Sequence, residues 1–165
     1  YRVPANVQPL EDGDLEGRLT SGELVAAVGA KVDHPDVAPM FDTPFAAAVS
    51  ALKTRGLYPI NHCVVVRDEL LAENPDVAVQ VFEAFAASKR LYVDRLKTGR
   101  VTEPGRVDKI HLAALDFMDD PLPYGIDPNR DTLEALIGHA VTQKIIPERM
   151  ALEDLFARPV LNAVG

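Results

Sequence analysis

By its position, His62 is the side chain of this sequence best suited to acid–base chemistry. It ends the run YPINH, residues 58–62, near the start of the strongest predicted strand of the chain, residues 57–66. Histidine titrates around neutral pH, and perturbed histidines gather at functional sites. The pattern predicts ligand contact or catalysis by His62. The alternative is a neutral histidine that is hydrogen-bonded inside a sheet.

A second polar cluster is the run PYGIDPNR, residues 123–130. This run predicts a tight loop that leads into a helix. The free backbone amides at the start of that helix can bind a carboxylate. Arg130 can pair with such an anion through two hydrogen bonds. The alternative is a plain capped helix in which Arg130 is bonded to a neighbouring acid.

The remaining residues with reactive side chains show no recognisable spacing. His34, His111 and His139 form no HxH or HExxH pattern with His62, so no metal site is expected. Cys63 is the single cysteine, which excludes an internal disulfide, and it is predicted to be a small core residue. There is no phosphate loop, G-x-S-x-G turn or dinucleotide fingerprint, so no organic cofactor is expected.

The composition describes one ordinary soluble domain. The chain has 165 residues, 17 Lys+Arg against 25 Asp+Glu, a net charge of -8 and 47% hydrophobic residues. A disordered chain and a nucleic-acid binder are therefore excluded, and any anionic ligand needs a local cluster of donors. No apolar run approaches the roughly 20 residues of a membrane span, so no membrane insertion is expected.

Two helices are predicted with defined ends. Thr43 and Pro44 start the first and Gly56 ends it, whereas Asn74 and Pro75 start a longer second helix. The apolar stripe of the second consists of Ala78, Phe82, Phe85, Tyr92 and Leu96. Its polar residues Glu83, Lys89 and Arg90 are predicted to stay in water. Further helices are predicted near residues 14–22, 107–118, 127–141 and 152–156.

Strands are predicted at residues 24–28 and 57–66, where compact apolar runs end in glycine or valine. Helices that alternate with strands indicate an α/β architecture. Two strands are fewer than the roughly four to six that are usual in a sheet, so we expect either a fragment of a larger α/β protein or a chain that completes its sheet with another copy.

Three stretches carry a resemblance to a known family. Residues 56–67, GLYPINHCVVVR, resemble the G-[IL]-[FY]-P-I-M-H-x-V-V-[IV]-R segment of bacterial 4,5-dihydroxyphthalate decarboxylases. Residues 123–134, PYGIDPNRDTLE, are similar to their W-P-Y-G-[IV]-x-x-N-R-x-T-L-E stretch, and residues 152–156 look like their P-E-E-L-F ending. Leu122 and Asn61 depart from the tryptophan and methionine that are usual there.

The resemblance implies a periplasmic-binding-protein type II-like fold. The chain is then the carboxyl-terminal half of a protein about twice as long. Residues 1–53 would be part of the second lobe, and residues 54–165 would contain the hinge return and the carboxyl-terminal part of the first lobe. Exposed sheet edges would make the chain a homo-oligomer, or pair it with its missing amino-terminal half.

The resemblance also implies a carboxy-lyase that converts 4,5-dihydroxyphthalate to protocatechuate and CO2, with His62 as general acid. Arg130 or Arg67 would hold the remaining carboxylate, while Asn61 and Tyr124 would bond ring hydroxyls. The remaining substrate-binding residues are expected to be Tyr58 and Asn129.

The alternative function is a solute-binding protein that captures an aromatic or other small organic acid for an ABC-type transporter. The decarboxylase would be cytoplasmic and the binding protein periplasmic. A third expectation is that the isolated fragment is inactive, because the missing half supplies essential contacts.

Overall fold

A computed structural model describes residues 7–11, 13–56, 58 and 60–165. In this part of the chain the α-helices are α1 (Leu15–Thr20), α2 (Pro44–Arg55), α3 (Asp68–Glu73), α4 (Val77–Lys97), α5 (Arg106–Ala114) and α6 (Arg130–Thr142). Short 3-10 helices cover Asp127–Asn129, Leu152–Leu155 and Arg158–Val160. Helices therefore make up about half of the chain.

The helix ends follow local chemistry. Asp14 caps α1 by accepting a hydrogen bond from the Gly17 amide at 2.8 Å. Pro44 occupies the first position of α2, and Gly56 ends that helix in the left-handed region at φ 66°. The predicted ends of α2 are thus confirmed. The predicted helix over 107–118 is shorter in the structure, because α5 stops at Ala114.

The hydrophobic core gathers around α6. Leu133 and Ile137 of α6 pack with Ile126, which precedes the helix, and with Leu152 from the 3-10 helix behind it. Partly buried side chains that surround this cluster are Ile60, Ile146, Phe156 and Leu161. The long helix α4 packs against α5 and against the 3-10 helix Arg158–Val160. The core thus forms between helices and not over a sheet.

The predicted strands are absent from the described residues. Residues 24–28 and 60–66 form no strand, and positions 57 and 59 lie outside the described part. Val65 is 88% exposed, and both Val25 and Val28 are fully exposed. The single bridge in this part of the chain joins Gly125 to Val164. A strand needs a neighbouring strand for its backbone hydrogen bonds, and the described residues supply none here.

The helical half of the predicted α/β class is therefore present and the sheet is not. Residues 1–6 and 12 of the expected second lobe lie outside the described residues. The type II lobes and the division at residue 53 stay predictions. No helix in the described ranges has both the length and the apolar character of a membrane span.

Candidate functional site

The main cavity of the described structure has a volume of about 700 Å³. Its lining includes Tyr58 and the extended segment, residues 60–66, together with the loop of residues 122–126. Phe82 and Phe85 of α4 and residues 154–157 also line it. The lining is rich in aromatic and aliphatic side chains, which is typical of small-molecule sites.

The cavity brings five of the seven predicted site residues together. Its lining includes Tyr58, Asn61, His62, Tyr124 and Asn129. They come from two stretches more than 60 positions apart in sequence, and both stretches had been singled out for their polar residues. Their roles toward a ligand stay predictions.

His62 lies exposed in the extended segment. No hydrogen bond or ion pair of its ring occurs within the described part of the chain. The alternative of a histidine buried inside a sheet is therefore wrong, because the residue is neither buried nor in a strand. Cys63, predicted to be a core residue, is also exposed and lines the same cavity.

Arg130 and Arg67 do not line the cavity. Arg130 donates to Glu153 Oε1 at 2.9 Å and to Asp127 Oδ1 at 3.1 Å, and these hydrogen bonds raise the pKa of Arg130. This is the alternative that the sequence left open for Arg130. Arg67 is exposed directly after the lining residue Val66, where it precedes α3.

The charges among the described lining residues are negative. They are the carboxylates of Asp68 and Asp154, and no lysine or arginine is among them. The described lining therefore offers a bound carboxylate no lysine or arginine as a partner, and its two acidic side chains would repel that carboxylate.

Asn129 is buried beneath the loop that carries Tyr124. Its Nδ2 donates to the carbonyl oxygens of Pro123 and Gly125, both at 2.9 Å. Its Oδ1 is buried and has no partner among the described residues. The side-chain amide of Asn129 therefore fixes the conformation of the loop. Its Oδ1 lacks, among the described residues, the hydrogen bond that a buried polar atom normally makes.

Lys89, which the sequence predicts to stay in water, is buried beside the cavity residue Tyr124. It is only 6% exposed, so that prediction is wrong. Its Nζ donates to Asp120 Oδ2 at 2.6 Å and to the Gly165 carbonyl, and lies 5.3 Å from the centre of the Tyr124 ring. The helical spacing of the sequence could have indicated this burial, because Lys89 lies three positions after buried Ala86 and four before buried Val93.

A polar cluster between α4 and α5 was also missed. The Tyr92 hydroxyl donates to Asp108 Oδ1 at 2.6 Å and lies 2.9 Å from His111 Nδ1. Burial, and then the hydrogen bond to Asp108, raise the pKa of Tyr92, while burial lowers the pKa of His111. Burial and the charge of Asp120 raise the pKa of Tyr58, which keeps that cavity hydroxyl protonated at neutral pH.

The described residues contain no group of three or more histidine, cysteine or acidic side chains arranged to hold a metal ion. The cavity lining offers hydroxyl, amide, imidazole, thiol and carboxylate groups on an apolar background. Such groups can hydrogen-bond a ligand and move a proton.

The chain is similar to a curated enzyme. Over 155 aligned positions it is 25% identical to a 4,5-dihydroxyphthalate decarboxylase from Comamonas testosteroni. The alignment covers 88% of this chain and 47% of that enzyme, so the chain spans about half the length of the relative it matches. No family model matches the sequence.

Proposed function

We propose that this chain belongs to the 4,5-dihydroxyphthalate decarboxylase family and forms part of an enzyme that decarboxylates a dihydroxylated aromatic acid. The observation that carries the proposal is the similarity to the Comamonas enzyme across 88% of the chain. A distant relationship of this kind supports a related decarboxylase, and the choice of 4,5-dihydroxyphthalate as substrate is the finer part of the proposal.

The cavity supports a flat aromatic ligand. Its volume of about 700 Å³ lies within the range of small-molecule sites. Aromatic side chains line it on several sides, and they offer ring faces and edges for stacking. They are Tyr58, Phe82, Phe85, Tyr124 and Phe156. The Asn61 amide and the Tyr124 hydroxyl supply hydrogen bonds for ring hydroxyls.

The proposed reaction exchanges a carboxylate for a proton on one ring carbon. His62 donates a proton to the carbon that bears the leaving carboxylate, while the hydroxyl para to that carbon releases its proton to water, becomes ketone-like and supplies electrons. The carbon–carbon bond then breaks, CO2 leaves, the bonding electrons restore the aromatic ring, and the ketone-like oxygen takes a proton back from water. One proton is consumed in each turnover, and His62 regains it from water.

Arg67 is the better of the two proposed partners for the remaining carboxylate. Arg130 is already bonded to Asp127 and Glu153. Arg67 follows directly on the cavity segment and has no ion pair within the described residues. Moving Arg130 to the ligand would leave two carboxylates without their partner, so the exposed Arg67 costs less to recruit.

The test is CO2 release from 4,5-dihydroxyphthalate by the intact protein and by its His62→Ala variant, with calorimetric binding of the same compound to both. His139→Ala, which changes an exposed histidine of α6, is the control. Release by the intact protein that His62→Ala abolishes without loss of binding supports the proposal. Tight binding without release by the intact protein would support the solute-binding alternative.

A further inference from the structure

Lys89 is a buried cation in the apolar face of α4. It shares that face with Ala86, Val93 and Leu96. Removing an ammonium group from water costs several kcal/mol, by order of magnitude, unless charged and polar partners replace the water. Its three partners therefore decide whether the surrounding structure holds together.

All three partners of Lys89 meet at the cavity wall that carries Tyr124. The Asp120 carboxylate bonds Lys89 through Oδ2, and its Oδ1 accepts from the Leu122 amide at 3.0 Å. Gly165 bonds Lys89 through its carbonyl and exchanges backbone hydrogen bonds with Tyr124 at 3.2 and 3.3 Å. The third partner is the Tyr124 ring itself.

We propose that Lys89 is a positioning residue, whose ammonium group joins the 120–125 loop to the 163–165 segment and thereby sets the place of Tyr124 in the cavity wall. The positioning stands on the contacts above. Its consequence for binding a dihydroxylated aromatic acid rests on the proposed function.

The geometry favours an ammonium over other side chains. A lysine Nζ carries three hydrogens around one point charge, which suits a carboxylate, a carbonyl and a ring face in different directions. The planar fork of arginine is built for two parallel bonds to a single partner. Methionine would fill the space but would leave the Asp120 charge without its partner.

The test compares Lys89→Met with Lys97→Met in the intact protein. Lys97 belongs to the same helix and bonds the carbonyl of Asp119 at 2.7 Å, but it is exposed and bonds neither the Asp120 carboxylate nor the Tyr124 ring. Hydrogen exchange of backbone amides, followed by NMR without ligand, reports on the hydrogen bonds that Lys89 is proposed to hold.

In Lys89→Met, the amides of Leu122, Tyr124 and Gly165 should exchange about tenfold faster or more, while Ile137 in the core of α6 keeps its rate. Lys97→Met should leave all four rates unchanged. Equal acceleration at Ile137 would show a general loss of stability and overturn the proposal, as would unchanged rates at the three wall amides.

Asp120→Asn is a second variant that keeps the shape of the side chain and removes its charge. It should accelerate exchange at Leu122 and Tyr124 in the same direction, and it decides the question if Lys89→Met does not fold. Unchanged exchange in a folded Asp120→Asn protein would overturn the proposal.

Calorimetric measurement of 4,5-dihydroxyphthalate binding tests whether Lys89 affects ligand binding in the cavity. We expect about tenfold weaker binding by Lys89→Met, binding within about twofold of the unchanged protein by Lys97→Met, and little further loss when Lys89→Met is added to Tyr124→Leu. Unchanged binding by Lys89→Met would overturn the link to the cavity. If the unchanged protein does not bind the compound, the proposed function fails, and the exchange rates alone decide the positioning.

Discussion

The ring of His111 meets the ring of Tyr92 edge to face, with its Nδ1 2.9 Å from the tyrosine hydroxyl. The hydroxyl has a single hydrogen, and that hydrogen is donated to Asp108. His111 Nδ1 must therefore carry a hydrogen and donate it to the Tyr92 oxygen, which fixes the neutral tautomer of the ring. The pair joins α4 to α5.

This pair predicts a pH dependence of stability. Burial lowers the pKa of His111, although the charges of Asp108 and Asp120 oppose the effect. The unfolded chain therefore takes up a proton at this histidine at higher pH than the folded one does, and the free energy of unfolding falls as the pH drops below about 6.5. Hydrogen bonds from Tyr92 and the Gly105 amide lower the pKa of Asp108. The contribution of ionised Asp108 to the free energy of unfolding is therefore lost only below about pH 4.

Urea unfolding at several pH values between 5 and 7.5 measures this effect. His111→Gln should flatten the dependence, whereas His139→Gln, at an exposed position of α6, should keep it. Parallel curves for the unchanged protein and His111→Gln would assign the dependence to other groups.

Leu152→Ala should be strongly destabilising. The side chain is 1% exposed and packs against Ile126, Leu133 and Ile137. Its truncation leaves a cavity in the core and should lower the free energy of unfolding by about 2–5 kcal/mol, measured by urea denaturation.

Leu136→Ala is the matched control for this prediction, because Leu136 lies on α6 but is 59% exposed. Leu136→Ala should change the free energy of unfolding by no more than about 0.5 kcal/mol, apart from the difference in helix propensity between leucine and alanine. Similar losses for both variants would contradict the position of the core.

Gly125→Ala should disturb the cavity wall, and its effect should exceed the cost of placing an alanine at a positive φ. Gly125 has φ 107°, and an added Cβ would lie 2.2 Å from the carbonyl oxygen of Ala163. The loop and the 163–165 segment would have to separate, so both stability and binding of 4,5-dihydroxyphthalate should fall.

Gly99→Ala separates the two causes. Gly99 also has a positive φ, 68°, but an added Cβ meets nothing within 4 Å. It should cost only about 1 kcal/mol of unfolding free energy, with unchanged binding. Equal losses for the two variants would argue against the close approach at Ala163.

Alkylation of Cys63 should report on occupancy of the cavity. Cys63 is exposed, lines the cavity and is the single cysteine of the chain, so iodoacetamide labels one site. At a ligand concentration about ten times Kd, 4,5-dihydroxyphthalate should slow labelling about tenfold, because only the free protein reacts. Mass spectrometry follows the reaction, and benzoate serves as the control ligand. Equal rates with and without 4,5-dihydroxyphthalate would place the ligand elsewhere.

The features predicted correctly from sequence are those that short-range chemistry decides. Pro44 and Gly56 fix the ends of α2 because one supplies a suitable φ and the other accepts a left-handed conformation. A helix closes its hydrogen bonds within itself, so its pattern is visible in a single stretch. The runs at 24–28 and 60–66 have strand composition, but a strand forms only when another strand is present to accept it.

The sequence indicates five of the residues that line the cavity, because they lie in two polar stretches. It does not indicate that the two stretches meet, because their meeting depends on the fold. Lys89 was misplaced because its burial depends on Asp120, which is 31 positions away, and a charged residue with no visible partner is normally assigned to water. Tyr92 and His111 are likewise 19 positions apart.

The position of Leu122 in the cavity lining has a practical consequence for spectroscopy. The chain contains no tryptophan, so its intrinsic emission comes from four tyrosines alone. A Leu122→Trp substitution would place a single indole in the lining of this cavity. Its emission would change with the polarity of the cavity, and ligand entry and exit would become observable in stopped-flow experiments without a chemical label.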